Sequence, residues 1–128
     1  MIFDGRPLRD ISLDEIRGLT DDHMPESIHL EYKQVPYSHN DRFEMLRDFI
    51  ALANAEGGYL ILGIEEDGSG RAVRFSPIDD PHPKAQAMLQ RCLDNISERI
   101  EGLEMRVYDV TSRIDWWWKS AINGDVLA

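Results

Sequence analysis

Tyr59–Leu60–Ile61–Leu62–Gly63–Ile64 is an almost unbroken apolar run, preceded by Gly57–Gly58 and followed closely by Asp67–Gly68–Ser69–Gly70. A run this short and this apolar reads as a strand buried on both faces. Gly63 interrupts it, and a glycine there permits close approach of another backbone or a ligand. Glu65 to Gly70 reads as a turn, because Asp-Gly and Ser-Gly tolerate positive φ. Residues 71–75 are then expected to return as the paired strand of a hairpin.

The surrounding sequence supplies the layers that such a strand needs. Ser12 and Glu15 have capping-box spacing, and residues 11–19 read as a short helix carrying Ile11, Leu13, Ile16 and Leu19. Residues 28–35 read as a strand with Ile28, Leu30, Tyr32 and Gln34 on one side and His29, Glu31, Lys33 and Val35 on the other. Pro36 limits its extension. Asp41 and Glu44 predict a second capping box opening a helix whose inward face is Phe43, Leu46, Phe49, Ile50 and Ala53. Asn54 and Gly57–Gly58 end that helix. Residues 77–83 read as a stiff proline-rich loop. A long helix over 84–100 follows, its stripe including Ala85, Met88, Leu89, Cys92, Leu93, Ile96 and Ile100. Gly102 stops it, residues 103–114 predict a strand, and Trp116–Trp118 with Asn123–Ala128 predict a strand–turn–strand tail. The expected architecture is one α+β domain over residues 1–128, a mixed sheet with two main packing helices. Val126–Leu127–Ala128 begins an apolar run where the sequence stops, so a truncated chain or an edge paired with a partner is expected there.

Composition narrows the function. A formal charge of -10 opposes broad, nonspecific adhesion to nucleic acid or anionic lipid, which needs basic groups to neutralise phosphate. Nucleic acid would have to be held by a positioned basic patch, a metal or a better charged partner. With Cys92 as the single cysteine, no intrachain disulfide can form. His23, His29, His39 and His82 make no recognised zinc spacing. No apolar run is long enough to span a membrane and no signal-like segment opens the chain, so a cytoplasmic location without membrane partners is expected. The phosphate-binding Gly-x-x-x-x-Gly-Lys-Ser/Thr sequence is absent, so ATP is not expected as a cofactor.

Glu31 and Lys33 share one face of their strand. A carboxylate beside a lysine suits metal-dependent phosphodiester chemistry: the acid holds Mg²⁺ or Mn²⁺ and the ammonium steadies phosphate. Glu26 reaches the same end if the chain bends before the strand, and Glu65, Glu66 and Asp67 emerge at the end of the apolar strand. An ordinary surface salt bridge accounts for the same Glu-x-Lys pattern. Arg71 and Arg74 add basic groups for phosphate contact, with a solvated strand edge as the plain alternative. Trp116, Trp117 and Trp118 are candidates for a homodimer or protein-partner interface, or for stacking on bases.

Taken in order, Glu26–Ser27, Glu31–Tyr32–Lys33, Ala51 with Asn54, Gly57–Gly58 and the hairpin from Gly63 through Gly68 resemble the pattern of the Schlafen AlbA_2 family. The resemblance covers residues 20–76, with a looser match through the next helix. It implies a nucleic-acid-associated binding or regulatory domain, the leading expectation. Some eukaryotic Schlafen proteins cut RNA with three carboxylates in such a domain. By position, Glu26 and Glu31 look like the first two, and Asp67 is the best match for the third, with Glu65 or Glu66 as substitutes. The resemblance thus implies, as the alternative, a divalent-metal-dependent endonuclease, RNA favoured over DNA and the choice left open, with Glu26, Glu31 and Asp67 on the metal and Lys33 on phosphate. A noncatalytic protein-interaction module is the third expectation. One departure is local: residues 71–75 stand where the family usually carries another glycine.

Overall fold

A computed structural model of the protein describes residues 2–95, 103–110 and 123–127. The elements in chain order are α1 (Leu13–Asp21), β1 (Leu30–Lys33), α2 (Arg42–Asn54), β2 (Tyr59–Leu62), β3 (Ile64–Glu66), β4 (Ala72–Phe75), α3 (Pro81–Asn95), β5 (Met105–Asp109) and β6 (Asn123–Leu127). They form the expected α+β fold. Strands β1, β2, β6 and β5 make one mixed sheet in that order, and β3 with β4 makes a separate hairpin.

The buried apolar run is the organising strand. β1 and β2 pair in parallel, Leu30 opposite Tyr59 and Lys33 opposite Leu62, with α2 as the crossover between them. Side chains alternate across β2. Tyr59 and Ile61 enter a core with Leu8, Ile11, Ile16, Leu19, Leu30, Tyr32, Ile64 and Tyr108. Leu60 and Leu62 enter a second core with Met45 and Phe49 of α2 and Met88 and Cys92 of α3. One face is therefore covered by α1 and the hairpin, the other by α2 and α3.

Gly63 divides the run in two. Its φ of 91° turns the backbone out of the sheet, so Ile64 begins the hairpin. Its N–H donates to the Lys33 carbonyl at 2.7 Å, and its carbonyl accepts from Ser76 N–H at 2.7 Å. The α2–β2 junction is a Schellman stop. Gly57 N–H reaches the Leu52 carbonyl at 2.9 Å, while Glu56 rather than a glycine takes the left-handed position at φ 66°. Gly58 follows where a Cβ would lie 2.6 Å from the His29 carbonyl oxygen. Only a glycine lets β1 and β2 approach so closely at their start.

Several local expectations need correction. Ser12 and Glu15 do form the capping box of α1, but Asp41 makes no such bond to α2. The Asp41 carboxylate instead accepts from Ser38 N–H and Oγ, closing the turn before the helix. The inward face of α2 is also rotated from the expected one. Phe43 is 71% and Ile50 44% exposed, whereas Met45 is fully buried beside Phe49. α3 begins at Pro81, inside the segment expected to be a loop, because proline suits a first helical turn where no N–H partner is required. β1 is shorter than the expected 28–35, with Ile28 and Val35 exposed. Asn123 and Gly124 lie within β6, opposite Asp109 and Tyr108, and not in a turn. β6 sits between β2 and β5 with partners on both sides.

Candidate functional site at the open edge of β1

β1 is an outer strand of the mixed sheet, and its free edge is where the first acidic residue lies. The chain bends before β1: Glu26 N–H bonds the Gly70 carbonyl at 2.9 Å, and Ser27 and Leu30 exchange backbone bonds in a tight turn. This folds Glu26 back along β1. Its Oε2 accepts from the Tyr32 backbone N–H at 3.0 Å, occupying an edge donor that would otherwise face solvent.

Two further carboxyls reach this edge. Glu66, at the end of β3, lies within hydrogen-bonding reach of Glu26, and Glu31 of β1 adds its charge to the same place. Partial burial, reinforced by the hydrogen bond and charge of Glu66 and by Glu31, raises the Glu26 carboxyl to about 7, against the opposing pull of the Tyr32 N–H. The Glu31 carboxyl is also raised, first by burial and then by Asp48, with Lys33 pulling the other way.

Lys33 and the α2 side chains complete the cluster. The Lys33 ammonium is 3.3 Å from Glu44 Oε1 and 4.9 Å from the centre of the Tyr37 ring. Tyr37 Oη donates to Asp48 Oδ2 at 2.6 Å. Glu44 and Asp48 are one helical turn apart and so share a face of α2. Glu44 was read from the sequence only as a capping residue, and neither Asp48 nor Tyr37 was singled out. The four-residue spacing of the two acids was the available signal, and the misplaced inward face of α2 concealed it.

Asp67 occupies a different role from Glu26, Glu31 and Glu66. Its Oδ1 accepts from Ser69 N–H at 2.8 Å, Ser69 Oγ at 2.9 Å and Arg71 N–H at 3.1 Å. The Arg71 and Ser69 backbone donors hold its carboxyl below the usual range. It is committed to the hairpin turn. Glu65 pairs with Arg74 directly across the hairpin, and Arg71 reaches the His23 carbonyl at 3.4 Å. Lys33 thus lies on β1, while Arg74 is on β4 and Arg71 just before it, and each is engaged by an acid or a carbonyl. His29, on the Lys33 face by sequence, directs Nδ1 to the Gly57 carbonyl at 2.9 Å and ties β1 to the α2–β2 junction. Trp116, Trp117 and Trp118, the expected partner surface, lie outside the described residues.

Carboxylate oxygens suit Mg²⁺ or Mn²⁺. Among the described residues, however, no three His, Cys, Asp or Glu side chains converge as a ready ion site. No described helix is long and apolar enough to cross a membrane.

The α+β fold with a mixed sheet is the one expected from the sequence. The chain matches the family described as Schlafen, AlbA_2 over residues 26–119, and it belongs to that nucleic-acid-associated family. The match begins at Glu26 itself. No curated protein and no solved structure matches the chain.

Proposed function

We propose that this is a nucleic-acid-binding domain that meets the phosphate backbone through a divalent cation held at the β1 edge by Glu26, Glu31 and Glu66, together with the Lys33 ammonium. The observation that carries the reading is the gathering of these carboxyls at one half-buried edge, where burial first, and then Glu66 and Glu31, raise the Glu26 carboxyl to about 7. A carboxyl whose proton is held this tightly is poised to exchange it for a cation, whose charge offsets the repulsion among its acidic neighbours. Because the three do not converge as a ready site, binding would draw Glu31 and Glu66 toward Glu26 by side-chain rotation. The cation supplies positive charge that a chain of net charge -10 otherwise lacks at this surface. Asp67 has no part in this reading, since its Oδ1 already accepts from Ser69 and Arg71 and ties the carboxylate to the turn.

A second reading, cleavage of the bound strand, is favoured by the Glu26 carboxyl, whose position near neutrality suits proton transfer. In that reading the domain is a metal-dependent endonuclease, with RNA the favoured substrate, and a bound cation would polarise the phosphoryl oxygen.

Both readings are tested by following labelled single-stranded RNA, structured RNA and DNA with and without Mg²⁺ or Mn²⁺, comparing wild type with Glu31→Ala. Cation-dependent binding lost in the variant supports the proposal, and cation-dependent products lost in the variant extend it to cleavage. Binding that is indifferent to both the cation and Glu31 would reject the site.

A further inference from the structure

Lys33 is the one basic side chain on the same strand face as Glu31, yet its position is set by residues on two other segments. Tyr37, in the segment after β1, is buried in the core beneath α2 and α3. Its ring face lies 4.9 Å from the Lys33 ammonium. Its hydroxyl donates to Asp48 Oδ2 at 2.6 Å, which fixes the ring from the helix side. Burial and the Asp48 charge hold the Tyr37 phenol well above its ordinary range, so the hydroxyl remains a donor. The ammonium also lies 3.3 Å from Glu44 Oε1.

The two contacts differ in kind. Glu44 neutralises the ammonium and competes with phosphate for it. The aromatic face attracts the cation through its quadrupole and leaves the charge available. Lysine is a flexible point charge whose location depends on what its stem and head lie against. A buried ring locked by a carboxylate provides a fixed platform where a mobile surface partner would not.

We propose that Tyr37, braced by Asp48, is the positioning residue that sets the Lys33 ammonium beside Glu31 for contact with a nucleic-acid phosphate. This role rests on the nucleic-acid reading above. Tyr37 itself need not touch the ligand, because its effect passes through Lys33.

The test joins oligonucleotide titrations in Mn²⁺ with ¹H–¹³C spectra of the lysine side chains in the free protein. In wild type, the Lys33 Hε resonances are expected upfield of those of Lys84, from the ring current of Tyr37. Tyr37→Leu should move them downfield and weaken oligonucleotide binding roughly two- to fivefold, the span of a single cation–aromatic contact. Tyr37→Phe retains the ring but loses the Asp48 brace, and should leave the Lys33 signal between those of wild type and Tyr37→Leu. In a Lys33→Ala background, Tyr37→Leu should cause no further loss.

An equal loss of affinity with and without Lys33 would show that Tyr37 acts on the fold alone and would overturn the proposal. Should Tyr37→Leu fail to fold, the wild-type spectrum decides: Lys33 resonances coincident with those of Lys84 overturn it. Absence of oligonucleotide binding by wild type would instead reject the nucleic-acid reading itself, and the role of Tyr37 in phosphate contact with it.

Discussion

The Glu26 carboxylate accepts a hydrogen bond from the Tyr32 backbone N–H at 3.0 Å, so a side chain occupies the edge of the sheet where another strand would pair. The contact has two effects. It protects an exposed strand edge, and it holds an acidic group beside Glu66 and Glu31 in a half-buried place, where burial first and those neighbours next raise its carboxyl to about 7.

Stability should respond to pH through this group. Folding raises the Glu26 carboxyl from the ordinary glutamate range to about 7, so the folded chain binds the proton more tightly than the unfolded one. Its contribution is fully present below the ordinary range and is lost as pH rises to about 7. Glu26→Gln should remove that fall, so the melting temperature of wild type relative to the variant should decline as pH rises across the interval. Comparison of the two proteins is required because Glu15, Asp41 and Asp67, all held low, contribute in the opposite sense.

Glu66 and Asp67 are adjacent yet should behave differently. Glu66→Gln removes a carboxyl from the Glu26 edge and should weaken the thermal stabilisation conferred by Mn²⁺. Asp67→Asn loosens the turn that Ser69 and Arg71 close, and should lower the melting temperature while leaving the Mn²⁺ increment intact. Melting curves with and without the cation measure both. Equal Mn²⁺ increments in wild type and Glu66→Gln would separate Glu66 from the cation.

Glu44→Gln should strengthen oligonucleotide binding, since it removes the carboxylate that competes with phosphate for Lys33. Lys33→Ala should weaken it and reduce the slope of log affinity against log salt by roughly 0.7–0.9, as for the loss of one phosphate contact. Titrations at several salt concentrations measure both effects. A gain from Glu44→Gln that persists without Lys33 would assign the repulsion to Glu44 itself.

Gly58→Ala should destabilise the fold by about 1–3 kcal/mol or more, the usual cost of forcing extra atoms into a packed site. The new Cβ would fall 2.6 Å from the His29 carbonyl oxygen, which is backbone and has little room to yield. Urea denaturation measures the loss. An unchanged midpoint would show that β1 and β2 can separate at their start without cost.

The elements of this protein were largely legible in its sequence, for local reasons. Ser12 and Glu15 announce α1 because a capping box is satisfied within one turn. Tyr59–Leu62 announces a doubly buried strand because its hydrophobicity has no polar side. Glu26 and Glu31, too, could be named from the resemblance that their spacing carries. The face of α2 could not be read this way. Phe43 and Ile50 satisfy helical periodicity as well as Met45 does, and only packing against β2 and α3 selects Met45 and leaves Phe43 in water. The same rotation brings Glu44 and Asp48 to Lys33 and Tyr37. Tertiary structure likewise gives Glu65, Glu66 and Asp67 different surroundings. In sequence these are three consecutive acids; in the folded chain Arg74 holds the first, Glu26 meets the second and the turn takes the third. Sequence determined which segments form strands and helices because backbone bonding and burial periodicity act over a few residues. Which carboxylates share a site depended on how the hairpin and α2 converge on β1, a matter of contacts between segments far apart in the chain.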